Sequence, residues 1–226
     1  MEALFPGRCL QCGDWLLLAG DDGSLFCDVC TERLAPLKDP RCRKCGIELI
    51  SETGTCLRCR NADYSFDWNM SLFPYTGGAK RLLAGLKFGR RKRVADFFAP
   101  RVADTLRGSG LDSTVVVPAP PRRGQRAPDA VELVARELER TYGFIVHRLL
   151  QRAGIVQQKS LDYEQRRANL KGKISIVPRA PREAIPREVV LLDDVFTTGA
   201  TLDACARVMR EAGCASVKAV TLVLEE

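Results

Sequence analysis

From residue 114 onward, short β-branched runs alternate with stretches whose apolar residues recur at helical spacing. That alternation predicts an α/β domain built on a mainly parallel sheet with flanking helices. Strands are expected at 114–118, 144–149, 189–193 and 217–224. Between them, Val131, Val134, Ala135 and Leu138 form an apolar stripe on a helix that starts near Pro128. A second helix is expected over 200–212, stopping at Gly213, with Leu202, Ala206, Val208 and Met209 turned to the sheet. A third is expected over 80–106, with Pro100 as the place for a break. The stretch 177–186 holds three prolines and reads as a loop.

The first sixty residues follow another rule. Eight of the ten cysteines stand there in four C-x-x-C pairs: Cys9/Cys12, Cys27/Cys30, Cys42/Cys45 and Cys56/Cys59. This shift divides the chain into a small N-terminal module, 1–62, and an α/β domain, 63–226. The segments CLQCG and CRKCG read as an internal repeat. Each C-x-x-C turn delivers two thiolates to a tetrahedral ion, so four pairs make two closed four-cysteine Zn²⁺ sites, favoured over disulfides or an iron–sulfur cluster. Sequential pairing is the simplest arrangement, and spacing alone leaves an interleaved one open. Closed sites are structural, and the metal stabilises a segment too small to bury its own core.

Composition adds limits. Hydrophobic residues at 46% and charged residues at 28% are ordinary for a globular protein. The apolar runs are far shorter than the roughly 20 residues that span a bilayer, so no membrane insertion is expected. The start of the chain has no secretory pattern, and a cytoplasmic location is expected, where paired cysteines hold metal. The formal charge of +7 falls to about +3 once eight thiolates bind two Zn²⁺. Basic residues concentrate in 80–93 and at Arg122, Arg123 and Arg126, a pattern suited to phosphate or nucleic acid and equally to a solvated face. His147 and the remaining Cys205 and Cys214 read as structural.

The strongest functional signal is EVVLLDDVFTTGAT, 188–201. An apolar strand ends in two acids, then a small hydroxyl-rich turn leads into a helix. Thr197, Thr198 and Thr201 offer hydroxyls, Gly199 permits close backbone approach, and the helix start at Ala200 presents free amides to a phosphate. Asp193 and Asp194 are placed to accept from the vicinal hydroxyls of a sugar. The segment is neither a P-loop nor a Rossmann fingerprint.

This arrangement resembles the phosphoribosyl pyrophosphate motif of type I phosphoribosyltransferases. The resemblance implies that Thr197, Thr198, Gly199, Ala200 and Thr201 hold the 5-phosphate, that Asp193 and Asp194 hold the ribose, and that Mg²⁺ bridges ribose and pyrophosphate oxygens. With the cysteine module, the stretch 115–136, the Q-x-x-L and R-x-x-N-l-x-G pattern at Gln158, Leu161, Arg166 and Asn169, and Lys87-Phe88, the chain resembles the ComF family, associated with competence and DNA uptake. By that resemblance Arg122, Arg123, Arg126, Lys87 and Arg166 are the basic candidates for pyrophosphate. Where the family reads close to R-G-F-N-Q-A, this chain has Arg126-Ala127-Pro128-Asp129-Ala130-Val131, a departure that bears on nucleobase contact. Two functions fit. One is phosphoribosyl pyrophosphate binding with Mg²⁺, with phosphoribosyl transfer as the possible chemistry, although no general base and no acceptor site are legible. The other is a non-catalytic single-stranded DNA-binding or scaffold role, with Phe88, Phe97, Phe98 or Trp68 stacking bases and the zinc module docking a helicase-like DNA-uptake protein.

Overall fold

The computed structural model describes residues 8–16, 25–32, 34–84, 91–121, 129–153, 172–178 and 185–225. The helices are α1 (Asp28–Glu32), α2 (Gly77–Ala84), α3 (Arg91–Gly108), α4 (Ala130–Tyr142) and α5 (Ala200–Glu211). The strands are β1 (Trp68–Pro74), β2 (Val115–Pro118), β3 (Leu150–Arg152), β4 (Ile174–Ile176), β5 (Glu188–Phe196) and β6 (Ser216–Leu224).

Four strands form a wholly parallel sheet in the order β1-β6-β5-β2, while β3 and β4 pair antiparallel beside it. The sheet is apolar on both faces, as a parallel sheet covered on both sides must be. One face, with Val190, Leu192, Val220 and Leu222, meets α3 and α4. The other, with Val189, Leu191, Val217 and Ala219, meets α5 and the β3–β4 pair.

Several expectations change. The strand expected at 144–149 is reduced to a parallel bridge between Val146 and Val116, in which the Val116 amide donates to the Ile145 carbonyl at 2.9 Å and the His147 amide to the Val116 carbonyl at 3.0 Å. Of the helix expected over 80–106, the described residues show α2 up to Ala84 and α3 from Arg91, and Pro100 lies inside α3. An interior proline costs about 3 kcal/mol. It is tolerated because Phe98, Ala99, Val102, Ala103 and Leu106 around it are fully buried. β1 had no counterpart in the pattern reading.

Helix ends follow local chemistry. Asp129 caps α4 by accepting the Glu132 amide at 3.0 Å, and Gly143 closes it in the left-handed conformation. Among the described residues no helix is long and apolar enough to cross a membrane.

Candidate functional site

The cysteine module is two copies of one local design. In the first, the Cys9 amide donates to the Asp14 carbonyl (2.8 Å) and the Gly13 amide to the Cys9 carbonyl (3.0 Å). In the second, the Cys42 amide donates to the Ile47 carbonyl (2.8 Å) and the Gly46 amide to the Cys42 carbonyl (2.8 Å). Gly13 and Gly46 both take positive φ, 83° and 82°, which explains the glycine of each C-x-x-C-G. Each first turn is flanked by an antiparallel bridge, Arg8 to Trp15 and Arg41 to Glu48.

The pairing is sequential. The sulfurs of Cys9, Cys12, Cys27 and Cys30 lie within 4.8 Å of one another, and so do those of Cys42, Cys45, Cys56 and Cys59. Tetrahedral Zn²⁺ with bonds of about 2.3 Å requires sulfurs about 3.8 Å apart. The gaps are 3.7 Å for Cys12 to Cys27 and 3.8 Å for Cys45 to Cys56, so both sets fit zinc. Within the first set the thiols are pushed in opposite directions: burial pushes Cys9 up but amides around Cys12, Cys27 and Gln11 outweigh it and bring it down to about 6, whereas burial and the Cys27 side chain push Cys30 up.

The two ribbons serve different faces. The first joins the core of α2 and α3: Phe26 meets Phe97 edge to face at 5.7 Å, and a Cβ on Gly78 would stand 2.9 Å from the Phe26 ring. The second joins the core of α5, and its four cysteines share a buried cluster with Phe196, Ala200 and Leu202. It is also bolted to the sheet edge by polar groups. Asn69 Nδ2 donates to the Cys45 carbonyl (3.1 Å), Ser71 Oγ donates to the same carbonyl (2.9 Å), and Ser71 Oγ lies 2.7 Å from Thr221 Oγ1.

At the carboxyl end of the sheet, β5 runs through both acids to Phe196 rather than ending at Asp193, because β6 stays paired with it as far as Leu224. The Asp194 amide donates to Asp193 Oδ1 (3.0 Å) and the Val195 amide to Asp194 Oδ1 (2.8 Å). Asp193 is buried. Burial pushes its carboxyl well above the usual range, the Asp194 charge adds to this, and Arg152 opposes it. Asp129 lies near enough to Asp194 to be affected: burial raises its pKa, and the Asp194 charge contributes.

Beyond the acids, Thr197, Thr198 and Gly199 form the turn, and α5 begins at Ala200 and Thr201. Gly199 has φ +72°, and a Cβ there would stand 2.8 Å from Phe196 Cζ and 3.0 Å from Tyr64 Cε1. The turn, the acid pair and the N-terminus of α5 are therefore brought together at one sheet edge, where ligands bind in open α/β folds. Lys87, Arg122, Arg123, Arg126 and Arg166 lie outside the described residues, as do Phe88, Gln158, Leu161 and Asn169. Phe97 and Phe98 are buried and present no face for base stacking. Cys205 and Cys214 are buried, as read from sequence; burial pushes the Cys205 thiol up.

Sequence reasoning missed Tyr64, Arg152 and Asp203. The run Tyr64-Ser65-Phe66-Asp67 just past the last cysteine pair was the available signal for Tyr64. Arg152 carried none.

A parallel sheet with an acid pair and a small hydroxyl-rich turn at its carboxyl edge defines a phosphoribosyltransferase-type domain. Residues 109–226 match the phosphoribosyl transferase domain family, and the chain belongs to it. Residues 1–60 match the double zinc ribbon domain. The ComF resemblance holds along the chain. Competence protein ComFC of Streptococcus pneumoniae is 27% identical, covering 96% of this chain and 99% of that protein. Competence protein F of Haemophilus influenzae is 26% identical over 96% and 97%, and DNA utilization protein YhgH of Escherichia coli K12 is 27% identical over 94% and 95%. A hypoxanthine phosphoribosyltransferase structure from Staphylococcus aureus is 12% identical, covering 60% of this chain and 64% of that one, at a TM-score of 0.35, too low to bear on function.

Proposed function

We propose that the protein binds phosphoribosyl pyrophosphate with Mg²⁺ at the carboxyl edge of its sheet, and that it serves DNA uptake. The observation that carries the ligand reading is the junction of β5 and α5. Two carboxylates, one buried, stand directly before a glycine-containing turn that leads into the N-terminus of α5, the end of a helix that favours a phosphate. Burying a carboxylate beside another is costly unless a ligand supplies donors or positive charge. Ribose hydroxyls supply the donors to Asp193 and Asp194, and Thr197, Thr198, Gly199, Ala200 and Thr201 hold the 5-phosphate. Hard carboxylate oxygens suit Mg²⁺, which neutralises the pyrophosphate. Arg122, Arg123, Arg126, Lys87 and Arg166 remain the basic candidates for the departing group. The protein residues orient donor and acceptor, and their share of any phosphoribosyl transfer is positioning and electrostatics.

The cellular role follows the relatives, two of them named competence proteins and one a DNA utilization protein. The boundary between the zinc module and the α/β domain is placed at 62/63, and a helicase-like DNA-uptake protein or single-stranded DNA is the expected macromolecular partner. Titrating the zinc-loaded chain with phosphoribosyl pyrophosphate, with Mg²⁺ and again with a chelator selective for Mg²⁺, tests the ligand reading. Micromolar binding that weakens without Mg²⁺ supports it; no binding in either condition rejects it.

A further inference from the structure

We infer that Tyr64 is a positioning residue for the phosphate-binding turn, and that through it the segment leaving the second zinc ribbon sets the orientation of a peptide in that turn. The inference rests on the ligand role proposed for the turn.

Tyr64 is 8% exposed and donates its phenolic hydroxyl to the Thr198 carbonyl at 3.0 Å. The peptide unit is planar and trans, so its carbonyl and the following N–H point in opposite directions. Holding the Thr198 carbonyl toward Tyr64 therefore turns the Gly199 N–H away from the Tyr64 ring and the packed linker. Gly199 accepts this orientation because its φ of +72° suits glycine. The Tyr64 ring stacks on Phe66 at 4.7 Å and meets Phe196 edge-on at 6.3 Å. The Tyr64 and Phe196 rings close on Gly199, leaving no room for a side chain. A phenylalanine would fill the same space, so the hydroxyl is not explained by packing.

The linker is fixed on both sides of this contact. The Ser65 amide donates to Asp203 Oδ1 in the first turns of α5 at 2.8 Å, and Asp67 Oδ2 accepts the Val217 amide at 3.0 Å. Upstream, Cys59 shares a buried cluster with Tyr64 and Phe196. Order in the second ribbon thus reaches the turn within a few residues.

The test uses the full, zinc-loaded chain carrying Tyr64→Phe, with zinc content and thermal midpoint measured to establish that the fold is kept. Two readouts follow. Hydrogen exchange of the amides in 197–201 is measured without ligand, and affinities are measured for ribose 5-phosphate and for phosphoribosyl pyrophosphate with Mg²⁺. Losing one hydrogen bond of this kind predicts faster exchange at these amides and affinities weakened by about five- to tenfold for both ligands, since both carry the 5-phosphate. Zinc content should stay at the wild-type level. Unchanged exchange and unchanged affinity would overturn the positioning role. Faster exchange in the variant, with a wild type that binds neither ligand, would support the brace and reject the function proposed above.

Discussion

Asp203 Oδ1 accepts the Ser65 amide at 2.8 Å while its Oδ2 holds Arg207 Nη2 at 2.8 Å, and Asp203 itself is 1% exposed. One buried carboxylate of α5 thus joins the linker from the zinc module to the helix that follows the turn at 197–199. Asp203→Ala leaves the Ser65 amide without its partner and removes the countercharge of Arg207. The expected cost is about 1–3 kcal/mol, because a half-buried donor loses its match and Arg207, itself partly exposed, loses its countercharge. Urea unfolding of the zinc-loaded protein checks this; a loss below 1 kcal/mol would contradict it.

Asp193 makes the opposite prediction. Its folded-state pKa is raised by burial and by Asp194, so above the ordinary aspartate pKa the unfolded chain gives up a proton that the folded chain keeps. Stability therefore falls as pH rises from about 4 toward the folded pKa. Asp193→Asn removes this term. The ligand-free variant should be more stable than wild type at neutral pH, by roughly 2–4 °C for each 1 kcal/mol recovered, with the advantage vanishing near pH 3. Thermal scans across pH measure it.

The zinc sites are predicted to act on different parts of the protein. Cys42→Ser disrupts a set whose four members are all buried in the cluster that holds Phe196 and Ala200, so exchange at 197–201 should rise and ligand affinity should fall. Cys9→Ser disrupts the set packed with Phe26 and Phe97, so it should loosen α2 and α3 first. Each variant should retain one zinc of two, measured by metal analysis alongside regional hydrogen exchange.

Gly199→Ala places a methyl 2.8 Å from Phe196 Cζ in a left-handed backbone conformation. Strain of this kind costs about 1–3 kcal/mol. Binding should fall more than stability, since the turn can relieve the clash by moving away from its ligand-holding shape.

Much of this was legible in the sequence, and the reasons differ by element. The cysteine pairs and the acid–turn–helix junction stood out because each needs particular residue types at fixed spacing. α4 and α5 were readable from apolar stripes at helical spacing, with Pro128 marking the start of the first and Gly213 the stop of the second. β1 was hidden by Asn69 and Ser71, polar residues on a buried face whose hydrogen bonds go to the Cys45 carbonyl and Thr221, partners far away in the chain. The persistence of α3 through Pro100 was hidden likewise, since only tertiary burial offsets the local cost. The role of Tyr64 depends on a partner 134 residues along.

The most direct test of the central claim is calorimetric titration of the zinc-loaded protein with phosphoribosyl pyrophosphate and Mg²⁺, repeated on the Asp193→Ala, Asp194→Ala double variant. The account predicts micromolar binding by the wild type and at least a hundredfold loss in the variant, about 2.7 kcal/mol, with zinc content unchanged. Equal binding by both proteins would contradict it.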